Sequence, residues 1–365
     1  MDDILFRADQ VGSLLRPPEL LDPTLVRARA QRDAELHRVE DRAVLESLHQ
    51  QNKIGLSVFT DGEFRRSGFV TGFIDAVDGF IPGSINAMSW RGGTGDEPAS
   101  PNTRLVGETL RVRDRIAQVE VDFLRQHAPG PFKITLPSPA MFALTSWQQG
   151  VSDSAYSSRE EVVADAGMIL AEEIRLLALE GLPYLQIDSP HYTHWGDPTL
   201  LEAMRADGVN VDTILTASIT ADNKALAAAG AITTGVHLCR GNSMGRWLSS
   251  GGYEPIAERL FGELRCNRLL LEYDSERAGG FEPLRFLPED KVAVLGLIST
   301  KTAQLESRDT LLARIEEATR YVPIERLALS PQCGFASSGR GNPLNVDDQW
   351  RKLELVVSVA AEVWP

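Results

Sequence analysis

Short apolar runs alternate along the chain with longer stretches in which apolar residues recur at spacings of three and four, the pattern of strands each followed by an amphipathic helix. The runs are residues 8–14 (ADQVGSL), LSVFTDGEF, PFKITLPSPA, PYLQIDSP, TTGVHLCRGN, RLLLEYDSE, VAVLGLIST and RLALSPQCGF. Helical stretches follow at 33–53, 114–127, 198–229, 254–265, 308–321 and 346–363, and in EEVVADAGMILAEEIRLLALEG, which stops at Gly181. Eight apolar runs, seven of them followed by a helical stretch and with polar residues at their carboxyl ends, predict an α/β fold of the (β/α)8 TIM-barrel class, one domain over residues 1–365. An open, doubly wound sheet is the alternative, but no G-x-G-x-x-G follows the first run and there is no P-loop. The pattern lapses over residues 79–113, where Gly, Pro, Ser and Asn crowd around Trp90 and Arg91. That span is too long for an ordinary βα loop and predicts a lid or hairpin inserted after the second strand, ending in an exposed strand near LVGETLRV.

Strand ends are where such a barrel collects its chemistry. His237 and Cys239 stand two apart, on one face if the segment is a strand, and present an imidazole and a thiol to one point. Glu272 and Cys333 end two later runs, and the four together make a zinc-type ligand set. The pair alone would read as packing, since a buried Cys is usually a small hydrophobe. Four candidates at the ends of three runs favour a metal. Asp188 ends the fourth run, and Asp61 and Glu63 follow the apolar part of the second, facing the same mouth. Cys266 belongs to the core, His37 and His49 to an exposed helix, and His191 and His194, three apart in a loop, read as residues behind the site or in solvent.

Composition narrows the class. At 43 % hydrophobic residues over 365, the chain can bury a large core, and a formal charge of −14 argues against nucleic-acid or anionic-membrane partners. The first ten residues, MDDILFRADQ, lack a signal-peptide pattern, and no apolar run is long enough to span a bilayer. Three scattered cysteines make no disulfide framework and would stay thiols in a reducing compartment. A cytoplasmic protein acting on small molecules is expected, with a homo-oligomer compatible.

VGSLLRP, DGEFRR, LPSPA, LQIDSP, VHLCRGN, LLLEYD and SPQCGF occur in that order over nearly the whole chain, which thereby resembles the catalytic barrel of cobalamin-independent methionine synthase and its stand-alone relatives. The resemblance implies Zn²⁺ held by His237, Cys239, Glu272 and Cys333, with Glu272 the ligand that a substrate thiolate replaces. It implies homocysteine bound through Ser13, Glu63 and Asp188, and a folate-type methyl donor near Trp147. Transfer of the methyl group would yield methionine, as in the methyltetrahydropteroyltriglutamate–homocysteine S-methyltransferases. Zinc deprotonates a bound thiol, and the thiolate is the nucleophile.

Two departures concern the donor half. The full synthase carries a further barrel that this chain lacks, and its strand-seven histidine is replaced here by LISTK, with Ser299 or Thr300 at that place and Lys301 the nearest acid. Two other functions fit the same zinc set: an alkyltransferase acting on a different thiol, like the epoxide-opening coenzyme M branch, and a zinc- or thiol-binding relative without turnover. Glu63 and Asp188 suit an ammonium and argue against a sulfonated thiol.

Overall fold

The computed structural model describes residues 6–21, 34–83, 90–93 and 104–365. Its centre is a parallel sheet of six strands in chain order, β3 (Lys133–Pro137), β4 (Tyr184–Asp188), β5 (Thr233–Leu238), β6 (Arg268–Glu272), β7 (Val292–Ile298) and β8 (Leu327–Pro331). Apart from Thr233, every residue of these strands is buried, as expected of a parallel sheet with both faces covered. Helices follow the strands as anticipated, among them Arg159–Leu179 after β3, Glu254–Glu263 after β5, Arg308–Ala318 after β7 and Val346–Val363 after β8. The region 198–229 is two helices, Pro198–Ala206 and Val211–Ala227, because Gly208 takes φ 76° and Asn210 caps the second through the Thr213 N–H. No helix among the described residues is long and apolar enough to cross a membrane.

The first two expected strands are not continuous strands. Each touches the sheet through one parallel bridge, Ala8 to Leu329 and Phe59 to Phe132. Several of their other backbone groups are taken by side chains. Gln186 Nε2 donates to Val11 O (2.8 Å), Gln10 Nε2 to Val58 O (2.9 Å), and Thr60 N–H donates to Gln51 Oε1 (3.0 Å). Asp61 and Glu63 accordingly do not share a strand face; they lie in a turn, with Gly62 at φ 69° and Glu63 itself at φ 57°. The inserted stretch contains an antiparallel hairpin, β1 (Val77–Pro82) and β2 (Arg104–Val112), held to the body by Val106 N–H to Ser146 O (2.8 Å) and Leu110 N–H to Tyr156 OH (2.7 Å). Residues 84–89 and 94–103 of that stretch lie outside the described residues.

Candidate metal centre and substrate cavity

Parallel pairing sets Asp188 of β4 opposite His237 of β5, and Glu272 of β6 opposite Gly296 of β7. Cys239 follows β5, and Cys333 follows β8. The ligand atoms of His237, Cys239 and Cys333 all lie within 4.8 Å of one another, and all three residues are buried. Around zinc, with sulfur at about 2.3 Å and nitrogen at about 2.0 Å, tetrahedral ligand atoms stand roughly 3.5 to 4 Å apart, so small rotations would close these three on one ion. The donor set fits in its outer partners too. His237 Nδ1 lies 3.0 Å from Asp188 Oδ1, the carboxylate–imidazole pairing that orients a metal-ligating histidine.

Charge and hydrogen bonding couple the three groups. Burial opposes charge on His237, but Asp188 and Cys333 outweigh it and push its pKa up to about 10. The Cys239 hydrogen bond, against the effect of burial and with His237 beside it, holds the Cys333 thiol well below its ordinary value. The same bond, together with burial and the Cys333 charge, pushes Cys239 up. The imidazole and the two thiols thus share their protons unequally, and a metal bound there would displace protons from the thiols.

His237, Cys239 and Cys333 lie on the wall of a cavity of about 420 Å³ that Ser13, Glu63 and Asp188 also line. Glu63 Oε1 accepts from Thr135 Oγ1 (2.7 Å), while its buried Oε2 has no hydrogen-bond partner among the described residues. Burial raises the Glu63 pKa to about 7, with Arg66 opposing and the Asp188 charge adding to the rise. An unpartnered carboxylate oxygen beside a second carboxylate is a place for a cation. Close packing fixes this corner. Gly12 takes φ 140°, and a Cβ there would stand 2.8 Å from Thr135 Cγ2 and 3.2 Å from Glu63 Oε1; a Cβ at Gly334 would run into Ser13 Oγ. Phe69, Val70, Met141 and Leu144 make much of the remaining wall apolar.

Several expected residues sit elsewhere. Glu272 is outside the three-residue group, its carboxylate engaged by Arg277 at 2.6 Å, Lys301 at 3.4 Å and the Arg240 N–H at 2.7 Å. Trp147 is buried under the Arg159 guanidinium, 5.6 Å from its ring, and is not among the described residues lining the cavity; Trp90 is. His191 and His194 are neither solvent-facing nor behind the site. Both are buried on the cavity wall, in the 3-10 helix Pro190–Gly196, and both nitrogens of His191 lack a hydrogen-bond partner among the described residues. Burial holds the His194 pKa down to about 4, with Asp197 opposing, and holds His191 well below its usual value. Their i, i+3 spacing carried no sign of this, because the turn of 3-10 helix that faces them inward has no apolar periodicity. Gln186 was legible: it shares a strand face with Asp188 and donates to Asp188 Oδ1 at 2.7 Å.

Residues 24–361 match the model of the cobalamin-independent synthase catalytic domain, and the chain belongs to that family. Among curated proteins it is 34 % identical to the uncharacterized protein YxjH of Bacillus subtilis, over 98 % of this chain and 95 % of the relative. It is 23 % identical to the methionine synthase of Thermococcus kodakarensis, over 89 % and 85 %. Among solved structures it resembles a vitamin-B12 independent methionine synthase of Listeria monocytogenes, so named provisionally (TM-score 0.69, 26 % identity, 99 % and 98 % covered). The fold also matches a B12-independent methionine synthase of a Shewanella species, solved with selenomethionine (TM-score 0.74, 21 % identity, 97 % and 96 % covered). Family membership supports a methyltransferase acting on small molecules.

Proposed function

We propose that this chain is a zinc-dependent methyltransferase that methylates the thiol of homocysteine to give methionine, working as a single (β/α)8 barrel. For the barrel, the bridges at Ala8 and Phe59 supply first and second strand positions beside β8 and β3, and Leu14 N–H donates to Gly62 O (3.0 Å) between them. The observation that carries the function is the His237, Cys239 and Cys333 group on the wall of a cavity whose opposing carboxylate, Glu63, has a free buried oxygen. Zinc held by those three residues would supply the positive charge that keeps a substrate thiol ionised at neutral pH. Glu63 and Asp188 receive the α-ammonium, and Ser13 lies beside them for the amino-acid end. Asp188 also keeps the His237 ring oriented through Nδ1. The apolar wall excludes water from the attacking sulfur, which strengthens it as a nucleophile.

Two carboxylates favour an amino-acid thiol over a sulfonated one, which they would repel. Metal analysis and product formation test the reading together. The parent should carry one zinc per chain and form methionine from homocysteine and a methyl donor. Cys239→Ser and Cys333→Ser should lose both properties, whereas Cys266→Ser, a thiol buried away from the group, should keep its zinc. Equal zinc in all three variants would remove the site.

A further inference from the structure

Glu63 and Asp188, the carboxylates proposed to receive the substrate ammonium, are each held through one oxygen. Thr135 Oγ1 donates to Glu63 Oε1 (2.7 Å), and Gln186 Nε2 donates to Asp188 Oδ1 (2.7 Å), which His237 Nδ1 also approaches at 3.0 Å. The second oxygens, Glu63 Oε2 and Asp188 Oδ2, have no hydrogen-bond partner among the described residues, and both carboxylates line the cavity. Thr135 and Gln186 are register partners on β3 and β4, so the two anchors stand side by side on adjacent strands.

A hydroxyl and an amide can each donate or accept, and a buried cation behind each of them settles which. Arg66 Nη1 donates to Thr135 Oγ1 (3.2 Å) and to Thr135 O (2.7 Å). A guanidinium has no acceptor, so the Thr135 proton is left to point at Glu63. Lys133 Nζ meets three acceptors, Asp9 Oδ1 (2.7 Å), Gln10 O and Gln186 Oε1 (2.9 Å). Three acceptors around one nitrogen call for three N–H groups, hence the ammonium form; burial lowers the Lys133 pKa and the Asp9 charge opposes that shift. An ammonium can only donate, so the Gln186 oxygen must face Lys133, and its amide nitrogen must face Val11 O (2.8 Å) and Asp188. Each cation has an ion pair of its own, Arg66 with Glu120 (3.3 Å) and Lys133 with Asp9, and acts on the cavity carboxylate through the neutral group between them.

A cation set directly on either carboxylate would neutralise it and compete with a ligand ammonium, whereas a neutral donor fixes the carboxylate and leaves its charge. We propose that Thr135 and Gln186 are positioning residues for an ammonium site, each anchoring one oxygen of its carboxylate and leaving the other for the ligand, with Arg66 and Lys133 imposing the direction of donation. The inference rests on the reading of Glu63 and Asp188 as ammonium ligands and assigns the contacts to Glu63 Oε2 and Asp188 Oδ2. Two acceptors at fixed places suit a primary ammonium, which is then recognised by its N–H groups as well as by its charge.

Calorimetry with methionine on the zinc-loaded, full-length protein tests this. Thr135→Val matches the shape but lacks the hydroxyl, Thr135→Ser keeps it, and Gln186→Met keeps the length without the amide. Methionine affinity should fall about tenfold in Thr135→Val and in Gln186→Met, the order of one hydrogen bond to a charged group, and stay near the parent's in Thr135→Ser. Thr135→Val should cost nothing further in a Glu63→Gln background, nor Gln186→Met in an Asp188→Asn background, because each acts through its carboxylate. If Gln186→Met fails to fold, Thr135→Val with its serine control decides. The proposal is wrong if either variant, with circular dichroism matching the parent, keeps the parent's affinity, or if its effect adds in full to that of the carboxylate change. A parent that does not bind methionine overturns the functional reading together with this one, and that result is seen before any variant is made.

Discussion

Glu63 is the residue on which the proposed ammonium recognition turns. A non-glycine residue at φ 57° is uncommon, and here Asp61 Oδ1 accepts from the Glu63 N–H at 3.0 Å to stabilise the turn. The turn aims the carboxylate at Thr135 and the cavity. Its pKa of about 7 in the empty site means that a cation must bind the minority form below that pH. An ammonium favours the ionised carboxylate, so affinity should be full above about pH 7 and fall by up to about tenfold per unit as pH drops below it. Methionine is the right probe, because it carries the ammonium and has no thiol proton to confuse the titration. Calorimetry from pH 5.5 to 8.5 should show that dependence in the parent and lose it in Glu63→Gln. At about pH 8 the variant should bind about 10- to 100-fold more weakly, the loss of one charged hydrogen bond. A parent whose methionine affinity does not change across pH 7 would remove Glu63 from the ammonium site.

Among the elements, the helix Val211–Ala227 does more than cover the sheet. Its buried Asp222 accepts from Ser138 Oγ (2.8 Å), Ser189 Oγ (3.3 Å) and Tyr192 OH (2.7 Å), tying the segments after β3 and β4, and with them Asp188, to one helix. Three hydroxyl donors do not offset burial, and the Asp222 pKa rises to about 6. Because the folded-state value lies above the unfolded one, this group's contribution to stability is fully present below about pH 4 and is lost as pH rises through about 6. The change amounts to about 3 kcal/mol. In denaturant titrations, the stability of the parent relative to Asp222→Asn should fall by that order between about pH 4 and 6, and the difference should be flat from about pH 7 upward. A difference independent of pH would show that Asp222 does not titrate in this window. The same scale explains which strands were legible. β3 to β8 are continuous apolar runs and read directly from sequence. The first two strand positions carry Gln10, Thr60 and Asp61 and satisfy their backbone through Gln51, Gln186 and Gln10, a solution that no alternation of polar and apolar residues discloses.

For the whole molecule, five of the seven motifs fall at the ends of the sheet strands β3, β4, β5, β6 and β8, and VGSLLRP and DGEFRR follow the isolated bridges at Ala8 and Phe59. His237, Cys239, Cys333 and Asp188 line the cavity because they lie at or just after the carboxyl ends of parallel strands, and Glu63 reaches it from its turn. The contacts of Glu272 and Trp147 were not legible in the same way, because they come from other segments of the chain, Arg240 and Lys301 in one case and Arg159 in the other. The donor half follows from the same end of the sheet. Methyl-tetrahydrofolate leaves as a strongly basic amine, so transfer from it needs an acid placed to protonate that nitrogen. After β7, the Ser299 N–H donates to Glu306 (2.8 Å), the Thr300 hydroxyl is committed to Gln332 Oε1 (2.7 Å), and a hydroxyl is in any case too weak an acid. Lys301 faces Glu272 and Asp274, and is not among the described residues on the cavity wall. His191 and His194, which are on that wall, are held neutral by burial. A donor with a better leaving group, such as a methylcorrinoid or a sulfonium, should therefore be preferred by at least about tenfold in initial rate, the smaller end of what a positioned acid contributes. The measurement is methionine formation by the zinc-loaded protein from methyl-tetrahydrofolate and its polyglutamates, set against methylcobalamin and S-methylmethionine. Lys301→Ala should leave the order of donors unchanged. Fast turnover of folate by the parent would show that an acid is available; if the Lys301 change abolished that turnover, the acid would be the lysine, swung out from Glu272 when the donor binds.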